Sequence, residues 1–206
     1  LLAGKESAVL RQGDRVIEAS TGELLFLTGD LRMPGEHNVR NAAVAALAAR
    51  ELGATPAAIA RGIAGFEPLP HRLHAVVTDA LGRTFVNDSI ATTPESAMAA
   101  LASFHGRPIV AILGGSTKNA DYRELAAVVA GRAHAAICIG ITGPEIARLI
   151  REAAGRGGAG LVLGRPVVVE AGDLAAAFGL ACEFCPQGGV VLLSPACASY
   201  GLFRNF

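Results

Sequence analysis

Apolar and polar residues alternate in short runs over the first part of the chain, and this alternation predicts β-strands. Three strands are expected at residues 8–10, 15–19 and 23–27, with hairpin turns at Gly13-Asp14 and Thr21-Gly22. Apolar residues at helical spacing then predict helices at 38–52 and 56–64. Because so few elements cannot enclose a core, we expect this part to be the end of a larger α/β domain.

A different pattern begins after the proline-flanked linker at residues 67–70. Strands and helices now alternate, which is typical of a mostly parallel sheet with helices on both faces. Strands are predicted at 75–78, 84–86, 109–113, 135–139, 167–169 and 190–193, and helices at 94–104, 122–130, 143–154 and 173–185. The predicted fold class is α/β: a Rossmann-like, mostly parallel six-stranded sheet with flanking helices in residues 69–206, preceded by a partial α/β domain in residues 1–68.

Composition and charge exclude several classes of binding partner. The 206 residues are 51% hydrophobic and 17% charged, as in a well-buried globular protein. The 18 basic residues balance 18 acidic ones, so we expect neither a nucleic-acid partner nor an anionic membrane surface. No apolar run approaches the roughly 20 residues of a membrane span, and the start lacks a basic region followed by an apolar one. We therefore expect small-molecule chemistry in the cytoplasm.

Four cysteines, Cys138, Cys182, Cys185 and Cys197, are scattered through apolar segments. A chain of this size does not need a disulfide framework, so we expect buried thiols. Cys182 and Cys185 have the spacing of half a zinc site, but no second pair of ligands accompanies them. The sequence therefore predicts no metal ligands in this chain.

Asn38 and Asn41 lie three positions apart at the start of a predicted helix, so their amides are expected on one side. An Asn amide offers paired donors and acceptors that suit a purine edge. In the alternative interpretation, Asn38 caps the helix and Asn41 is an exposed polar residue.

Two further polar groups follow the linker and the second strand of the predicted sheet. Arg72 is expected either to bind phosphate oxygens or to form an ion pair between domains. Asp88, Ser89 and Thr92 come between a strand end and a helix start, where many α/β folds bind anions and ribose hydroxyls. The alternative is a simple helix cap made by Thr92 or Thr93.

Two later strands end in small residues. The first runs into Gly-Gly-Ser-Thr-Lys-Asn at 114–119, where glycines allow a ligand to approach the backbone and Lys118 supplies a compact positive charge. The second runs into Ser-Pro-Ala-Cys-Ala-Ser at 194–199, which predicts hydroxyls and free N–H groups at a carboxyl edge. Neither Cys197 nor Ser199 has an evident His and acid partner, so hydrolase chemistry is not favoured.

Taken in order, five segments resemble those of the Mur ligases, and most of all the members that add glutamate: GEHNVRNAAVAAL, HRLHAVV, FVNDSIATTP, ILGGSTKNADY and LLSPACASYGLFRNF. The resemblance implies that residues 1–68 are the C-terminal part of a central ATP-binding domain. Residues 69–206 are then a glutamate-binding C-terminal domain whose last helix is missing. In that family ATP phosphorylates the muramoyl-L-alanine carboxylate, and the amine of the amino acid attacks the acyl phosphate.

The resemblance also implies roles for single residues. ATP is expected to be bound by Asn38, Asn41, Arg72 and Asp88. Glutamate is expected to be bound by Thr92, Lys118, Ser199, Tyr200 and Phe206, with Lys118 as the catalytic residue. The implied substrates are UDP-N-acetylmuramoyl-L-alanine, D-glutamate and ATP, with Mg²⁺ held by ligands outside this chain. We expect a cytoplasmic monomer without nucleic-acid or membrane partners.

Three places depart from the family pattern. Ile90 stands where Lys is usual, Ser-Thr-Lys-Asn at 116–119 stands where Asp-Lys-Gly is commoner, and Tyr200-Gly201 is unusual before the closing Phe. An enzyme that adds L-glutamate, another amide ligase of Mur or folylpolyglutamate synthase type, and a non-catalytic Rossmann-like binding module therefore stay open. Because the sequence contains no P-loop, we expect the chain alone not to catalyse ligation.

Overall fold

A computed structural model describes residues 9–116, 120–156 and 166–198 of the chain. The chain divides into two compact units, Leu1–Leu69 and Pro70–Phe206. Across the described ranges, no helix is long and apolar enough to cross a membrane.

The first unit combines a three-stranded antiparallel sheet with two helices. The strands are β1 (Val9–Gln12), β2 (Arg15–Glu18) and β3 (Leu24–Leu27), in the order β1-β2-β3, and the helices are α1 (Glu36–Glu51) and α2 (Pro56–Ala64). Residues from all three strands and both helices form a small core around Leu25 and Phe26. The hairpins and both helices confirm the predicted elements of this unit.

Helix α1 begins two residues earlier than the sequence predicted. Its N-cap is Gly35, whose φ of 101° lies in the left-handed region that favours glycine. Asn38 is therefore inside the first turn and buried, so its interpretation as the helix cap is wrong. Helix α2 starts as expected, since the side chain of Thr55 accepts a hydrogen bond from the Ala58 N–H.

The second unit has one mixed sheet of six strands in the order β4-β5-β9-β6-β7-β8. Its strands are β4 (His74–Thr78), β5 (Thr84–Asn87), β6 (Ile109–Leu113), β7 (Ala135–Ile139), β8 (Val167–Ala171) and β9 (Val190–Leu193). Its helices are α3 (Pro94–Ala102), α4 (Arg123–Arg132), α5 (Gly143–Arg156) and α6 (Leu174–Phe184). Only β4, at one edge, is antiparallel to its neighbour. The predicted α/β class and mostly parallel sheet are confirmed.

Helices cover both faces of this sheet. Leu101 of α3, Leu125 of α4 and Ile146 of α5 belong to one buried cluster, whereas Ala177 and Ala181 of α6 belong to another. The chain moves along the sheet in one direction from β5 to β8 and then returns to β9. Because parallel crossovers are right-handed, the return places α6 on the opposite face.

Strand β9 lies between β5 and β6 although it follows both in sequence. The loops after β5 and β9 therefore leave the sheet from adjacent strands, where an α/β sheet offers a crevice for ligands. The strand ends are joined there, since the Asp88 N–H donates to the Leu193 carbonyl at 2.8 Å and the Gly114 N–H donates to the Pro195 carbonyl at 2.8 Å. Among the described residues, Asp88 and Thr92 of the predicted site follow β5 at this carboxyl edge.

Candidate functional site

Asp88 follows β5 and is buried, with 5% of its surface exposed. Its Oδ1 accepts the Leu73 N–H at 3.0 Å, and its Oδ2 accepts the Ser194 hydroxyl at 2.8 Å. Burial raises the pKa of this carboxyl, although both hydrogen bonds and the charge of Arg72 act in the opposite direction. Asp88 thus joins three segments: the start of the second unit, the end of β5 and the end of β9.

Arg72 lies between two residues with unusual backbone conformations. His71 has a φ of 67° and Leu73 a φ of 44°, which costs a non-glycine residue about 1–3 kcal/mol. Hydrogen bonds hold this segment, because the His71 carbonyl accepts the Ile90 N–H at 3.3 Å and the His71 Nδ1 lies 2.9 Å from Nδ2 of Asn87. The half-buried Arg72 is therefore fixed beside the loop that follows β5.

Thr92 lies in that loop and is half-buried. The N-cap of α3 is Thr93, whose hydroxyl accepts the Ser96 N–H, so the capping role falls to Thr93 and not to Thr92. Among the residues that the structure describes, none forms a hydrogen bond with the Thr92 hydroxyl. A half-buried hydroxyl of this kind is able to bond to water or to a ligand, while Asn87 stabilises the preceding turn by accepting the Ser89 N–H at 3.0 Å.

The glycine-rich turn after β6 pairs with the segment after β9. The N–H and the hydroxyl of Ser116 both donate to the Ala198 carbonyl, at 2.8 and 2.9 Å. Together with the bond from Gly114 to Pro195, they align residues 114–116 with residues 195–198. Lys118, Ser199, Tyr200 and Phe206 lie outside the described residues, so their assignments stay predictions.

Glycine is required in this turn by the neighbouring backbone. A Cβ on Gly114, whose φ is 104°, would lie 2.2 Å from the Ile139 carbonyl oxygen. A Cβ on Gly115 would lie 2.4 Å from the Ala198 carbonyl oxygen, and one on Gly140 would lie 2.7 Å from the Gly115 carbonyl oxygen. The expectation that these glycines open the backbone to a ligand is therefore wrong for Gly114 and Gly115, since the chain itself fills that space.

A buried chain of side-chain groups supports the same turn. The Thr142 hydroxyl accepts the Gly115 N–H at 2.9 Å and lies 3.2 Å from Sγ of Cys197. The Cys197 thiol donates in turn to the Tyr122 hydroxyl at 3.2 Å. Burial is the main cause that raises the pKa of Tyr122, and the contact with Cys197 adds to it.

Sequence reasoning missed Thr142 and Tyr122. Thr142 lies outside the five segments, whereas Tyr122 is the last residue of ILGGSTKNADY and was assigned no role. The available signal was the Gly-Ile-Thr-Gly run at 140–143, which follows a buried strand and precedes a helix.

The cysteines follow the expectation with one exception. Cys138, Cys185 and Cys197 are buried, whereas Cys182 is only partly so. Burial raises the pKa of Cys138 to about 12. In the ranges that the structure describes, no group of His, Cys, Asp and Glu side chains is arranged to hold a metal ion.

Asn38 and Asn41 both line a cavity of about 450 Å³ between α1 and α2 in the first unit. Its remaining walls are mainly apolar, including Ala42, Ile59 and Phe66. The Asn38 amide donates from Nδ2 to the Pro34 carbonyl at 2.7 Å, while its buried Oδ1 has no partner among the described residues. The mainly apolar walls suit a flat, apolar ring system.

Two curated relatives resemble the chain along most of its length. It is 38% identical over all of its residues to the UDP-N-acetylmuramoylalanine–D-glutamate ligase of Rubrobacter xylanophilus and covers 43% of that protein. It is 39% identical, over 89% of the chain, to the UDP-N-acetylmuramoyl-L-alanine–L-glutamate ligase of Xanthomonas euvesicatoria and covers 38% of that protein. The chain thus spans less than half the length of these relatives.

Solved structures share the fold. The UDP-N-acetylmuramate-alanine ligase MurC of Thermotoga maritima has a TM-score of 0.62 at 18% identity, over 88% of this chain and 39% of that one. The folylpolyglutamate synthase of Mycobacterium tuberculosis, solved with ADP, has a TM-score of 0.62 at 20% identity, over 94% and 46%. Residues 71–197 match the family described as Mur ligase, glutamate ligase domain. Since this match spans more than half of the chain, the protein belongs to the Mur ligase family.

Proposed function

We propose that the protein takes part in the ATP-dependent ligation of glutamate to UDP-N-acetylmuramoyl-L-alanine, a step of peptidoglycan precursor synthesis. The first unit is the end of the ATP-binding domain in this proposal, and the second unit binds glutamate. The observation that carries it is the convergence of the loops after β5, β9 and β6 at one carboxyl edge, where the Thr92 hydroxyl has no hydrogen-bond partner among the described residues. The relatives that carry this activity in their names support the same reaction.

Charge determines what such a site must provide. Glutamate brings two carboxylates, and Lys118 is the cation that the proposal assigns to them, with Thr92 and Ser199 as neutral donors. Tyr200 and Phe206 complete the proposed contacts. Holding the amine in line with the acyl phosphate lowers the barrier by positioning, and Lys118 also balances the negative charge that surrounds the reacting centre. The amine forms the new C–N bond as phosphate leaves.

The nucleotide is assigned to the other polar groups. Asn38 is assigned to the amino group of adenine through Oδ1, which has no partner among the described residues, and Asn41 lies one turn further along the same cavity wall. Arg72 is assigned to phosphate oxygens, which its planar guanidinium can bind in pairs. Asp88 keeps one further lone pair on each oxygen for a nucleotide hydroxyl. The proposal takes no Mg²⁺ ligand from the described residues, which contain no suitable cluster.

Either enantiomer of glutamate is a candidate substrate. The relatives named for D-glutamate and for L-glutamate are 38% and 39% identical to this chain, so identity does not separate them. D-glutamate is the primary proposal and L-glutamate the alternative, because the segment from Leu192 to Phe206 resembles the glutamate-adding enzymes without distinguishing the two enantiomers. We further propose that the protein acts as a cytoplasmic monomer.

Calorimetric titration of the chain with D-glutamate and then with L-glutamate tests the glutamate site. Wild-type protein is expected to release or absorb measurable heat with one enantiomer, and Lys118→Ala is expected to lose that signal. Arg148→Ala is the matched control, because it removes an exposed cation from α5 that pairs with Glu152 of the same helix. Equal heats for wild type and Lys118→Ala would contradict the proposed site.

The nucleotide assignment has its own test. Asn41 is exposed, so Asn41→Ala is expected to leave the free energy of unfolding within about 0.5 kcal/mol of wild type. In the full-length gene product the same change is expected to raise the KM for ATP without raising that for glutamate. An unchanged KM for ATP would remove Asn41 from the adenine site.

A further inference from the structure

Thr142 directly precedes helix α5, a position where a Thr hydroxyl commonly caps the helix. In this structure the Thr142 hydroxyl instead forms hydrogen bonds with Gly115 and Cys197. It accepts the Gly115 N–H at 2.9 Å, and its proton has two acceptors in reach, the Gly115 carbonyl at 3.3 Å and Sγ of Cys197 at 3.2 Å. Only 3% of the surface of Thr142 is exposed, so water does not compete for these bonds.

The backbone of Thr142 strengthens the same contact. Its N–H donates to the Gly115 carbonyl at 3.1 Å, so Thr142 and Gly115 exchange two hydrogen bonds. A third connection runs through Cys197 to the Tyr122 hydroxyl. One side chain therefore holds both the turn after β6 and the segment after β9.

These two segments lead directly to the residues assigned to glutamate. Lys118 follows Ser116 by two positions, and Ser199 follows Ala198. Ser116 and Ala198 are themselves paired through two hydrogen bonds to one carbonyl oxygen. A small movement of Gly115 relative to Cys197 would therefore separate the two attachment points.

We propose that Thr142 is a positioning residue for glutamate binding: its buried hydroxyl fixes the spacing between the loops that carry Lys118 and Ser199. This inference rests on the proposed function of those loops. Thr142 does not contact the substrate in this scheme; it acts through Gly115 and Cys197. Misplacement of binding groups by a fraction of an ångström to one ångström lowers activity about ten- to a hundredfold in well-organised sites.

Three substitutions test the role. Thr142→Val keeps the shape of the side chain but leaves the buried Gly115 N–H without its acceptor. Thr142→Ser restores the hydroxyl and is the rescue variant. Thr84→Val is the matched control, because the Thr84 hydroxyl accepts a bond from Arg107 at the amino end of β5, at the opposite end of the strand from the site.

The measurements are the dissociation constant for glutamate and, in the full-length gene product, the KM values for glutamate and ATP. Thr142→Val is expected to weaken glutamate binding and raise its KM about tenfold while the KM for ATP stays unchanged. Thr142→Ser is expected to bind within about twofold of wild type, and Thr84→Val to bind as wild type does. This split would not arise from a general loss of stability.

Other outcomes overturn the inference in distinguishable ways. Glutamate binding by Thr142→Val equal to wild type would remove Thr142 from the site while leaving the proposed function intact. Equal weakening in Thr142→Val and Thr84→Val would mean a merely structural effect. Failure of the wild type to bind glutamate would overturn the proposed function and this inference together. If Thr142→Val does not fold, Tyr122→Phe removes the far end of the same chain of bonds, and unchanged binding by that variant would count against the inference.

Discussion

The Ser194 hydroxyl donates a hydrogen bond of 2.8 Å to Oδ2 of Asp88, which lies 106 residues earlier in the chain. Both side chains are buried, so this bond joins the ends of two adjacent parallel strands away from water. Because the other oxygen of Asp88 accepts the Leu73 N–H, the carboxyl group sets the position of three segments at once. It is the structural centre of the loops assigned to ligands.

Asp88→Asn is expected to change how stability depends on pH. Burial raises the pKa of Asp88 in the folded chain, so the folded state binds this proton more tightly than the unfolded state. The free energy of unfolding of wild type should therefore fall as the pH rises from the ordinary Asp range through the raised value. The Asn variant lacks this contribution, so its stability relative to wild type should increase over that interval.

Urea unfolding at several values between pH 4 and pH 7 measures this difference. Asp121→Asn removes one negative charge from an exposed position and controls for net charge. If the free energy of unfolding of Asp88→Asn minus that of wild type stays constant or decreases with rising pH, the raised pKa of Asp88 does not influence folding.

Gly140→Ala is expected to destabilise the second unit far more than Gly82→Ala. Both glycines have a φ of 70°, so the backbone cost of about 1 kcal/mol is common to them. The new Cβ at position 140 would lie 2.7 Å from the Gly115 carbonyl oxygen, whereas at position 82 the nearest atom is 3.8 Å away. We expect a loss of about 3 kcal/mol or more at Gly140, measured by urea unfolding. Equal losses would mean that backbone conformation alone requires glycine there.

Ile90→Lys is expected to strengthen ATP binding. Ile90 stands where the resemblance to Mur ligases leads us to expect Lys, and it is 51% exposed in the loop between Asp88 and Thr92. An added cation beside Arg72 and a helix start favours phosphate, so we expect a roughly three- to tenfold lower dissociation constant. Leu81→Lys is the matched control, since Leu81 is 50% exposed in the hairpin at the amino end of β5. Calorimetry on the full-length gene product that gave the same gain for both variants would reduce the effect to net charge.

Cys182 is expected to react with iodoacetamide well before the other three thiols. The thiolate is the reactive form, and burial raises the pKa values of Cys138 and Cys185. Cys197 is enclosed between Thr142 and Tyr122. Mass spectrometry of native protein labelled at pH 8 should find one fast site, which Cys182→Ala abolishes; all four should react in urea. Rapid labelling of Cys138 would contradict the buried core described above.

The sequence was most informative about local elements of the sheet unit. Each of its strands is a short apolar run between turn residues. The presence of these strands could therefore be predicted from the apolar runs and the flanking turn residues alone. The start of α1 was misplaced because Gly35, with its left-handed φ, replaces the polar cap that Asn38 suggested. The position of β9 between β5 and β6 was not predictable, because strand order depends on contacts between distant segments.

The site was predictable only in part for the same reason. Asp88 and Thr92 were singled out from sequence because a strand end before a helix start is visible there, and the structure places both after β5. The pairing of Ser194 with Asp88 and of Thr142 with Cys197 required the fold, since each joins residues far apart in the chain. From the sequence alone, Thr92 and Thr93 were equally good candidates for the N-cap of α3. The hydrogen bond from the Ser96 N–H to the Thr93 hydroxyl identifies Thr93 as the cap.

The position of β9 inside the sheet also affects how the second unit folds while the chain is being synthesised. A chain that emerges from the ribosome presents β5 and β6 long before residues 190–193, the strand that joins them, leave the exit tunnel. Until then two strand edges have no partner, and such edges invite pairing with other chains. We therefore expect this unit to acquire its sheet only after translation has passed β9, and its nascent chain to depend on chaperones during that interval.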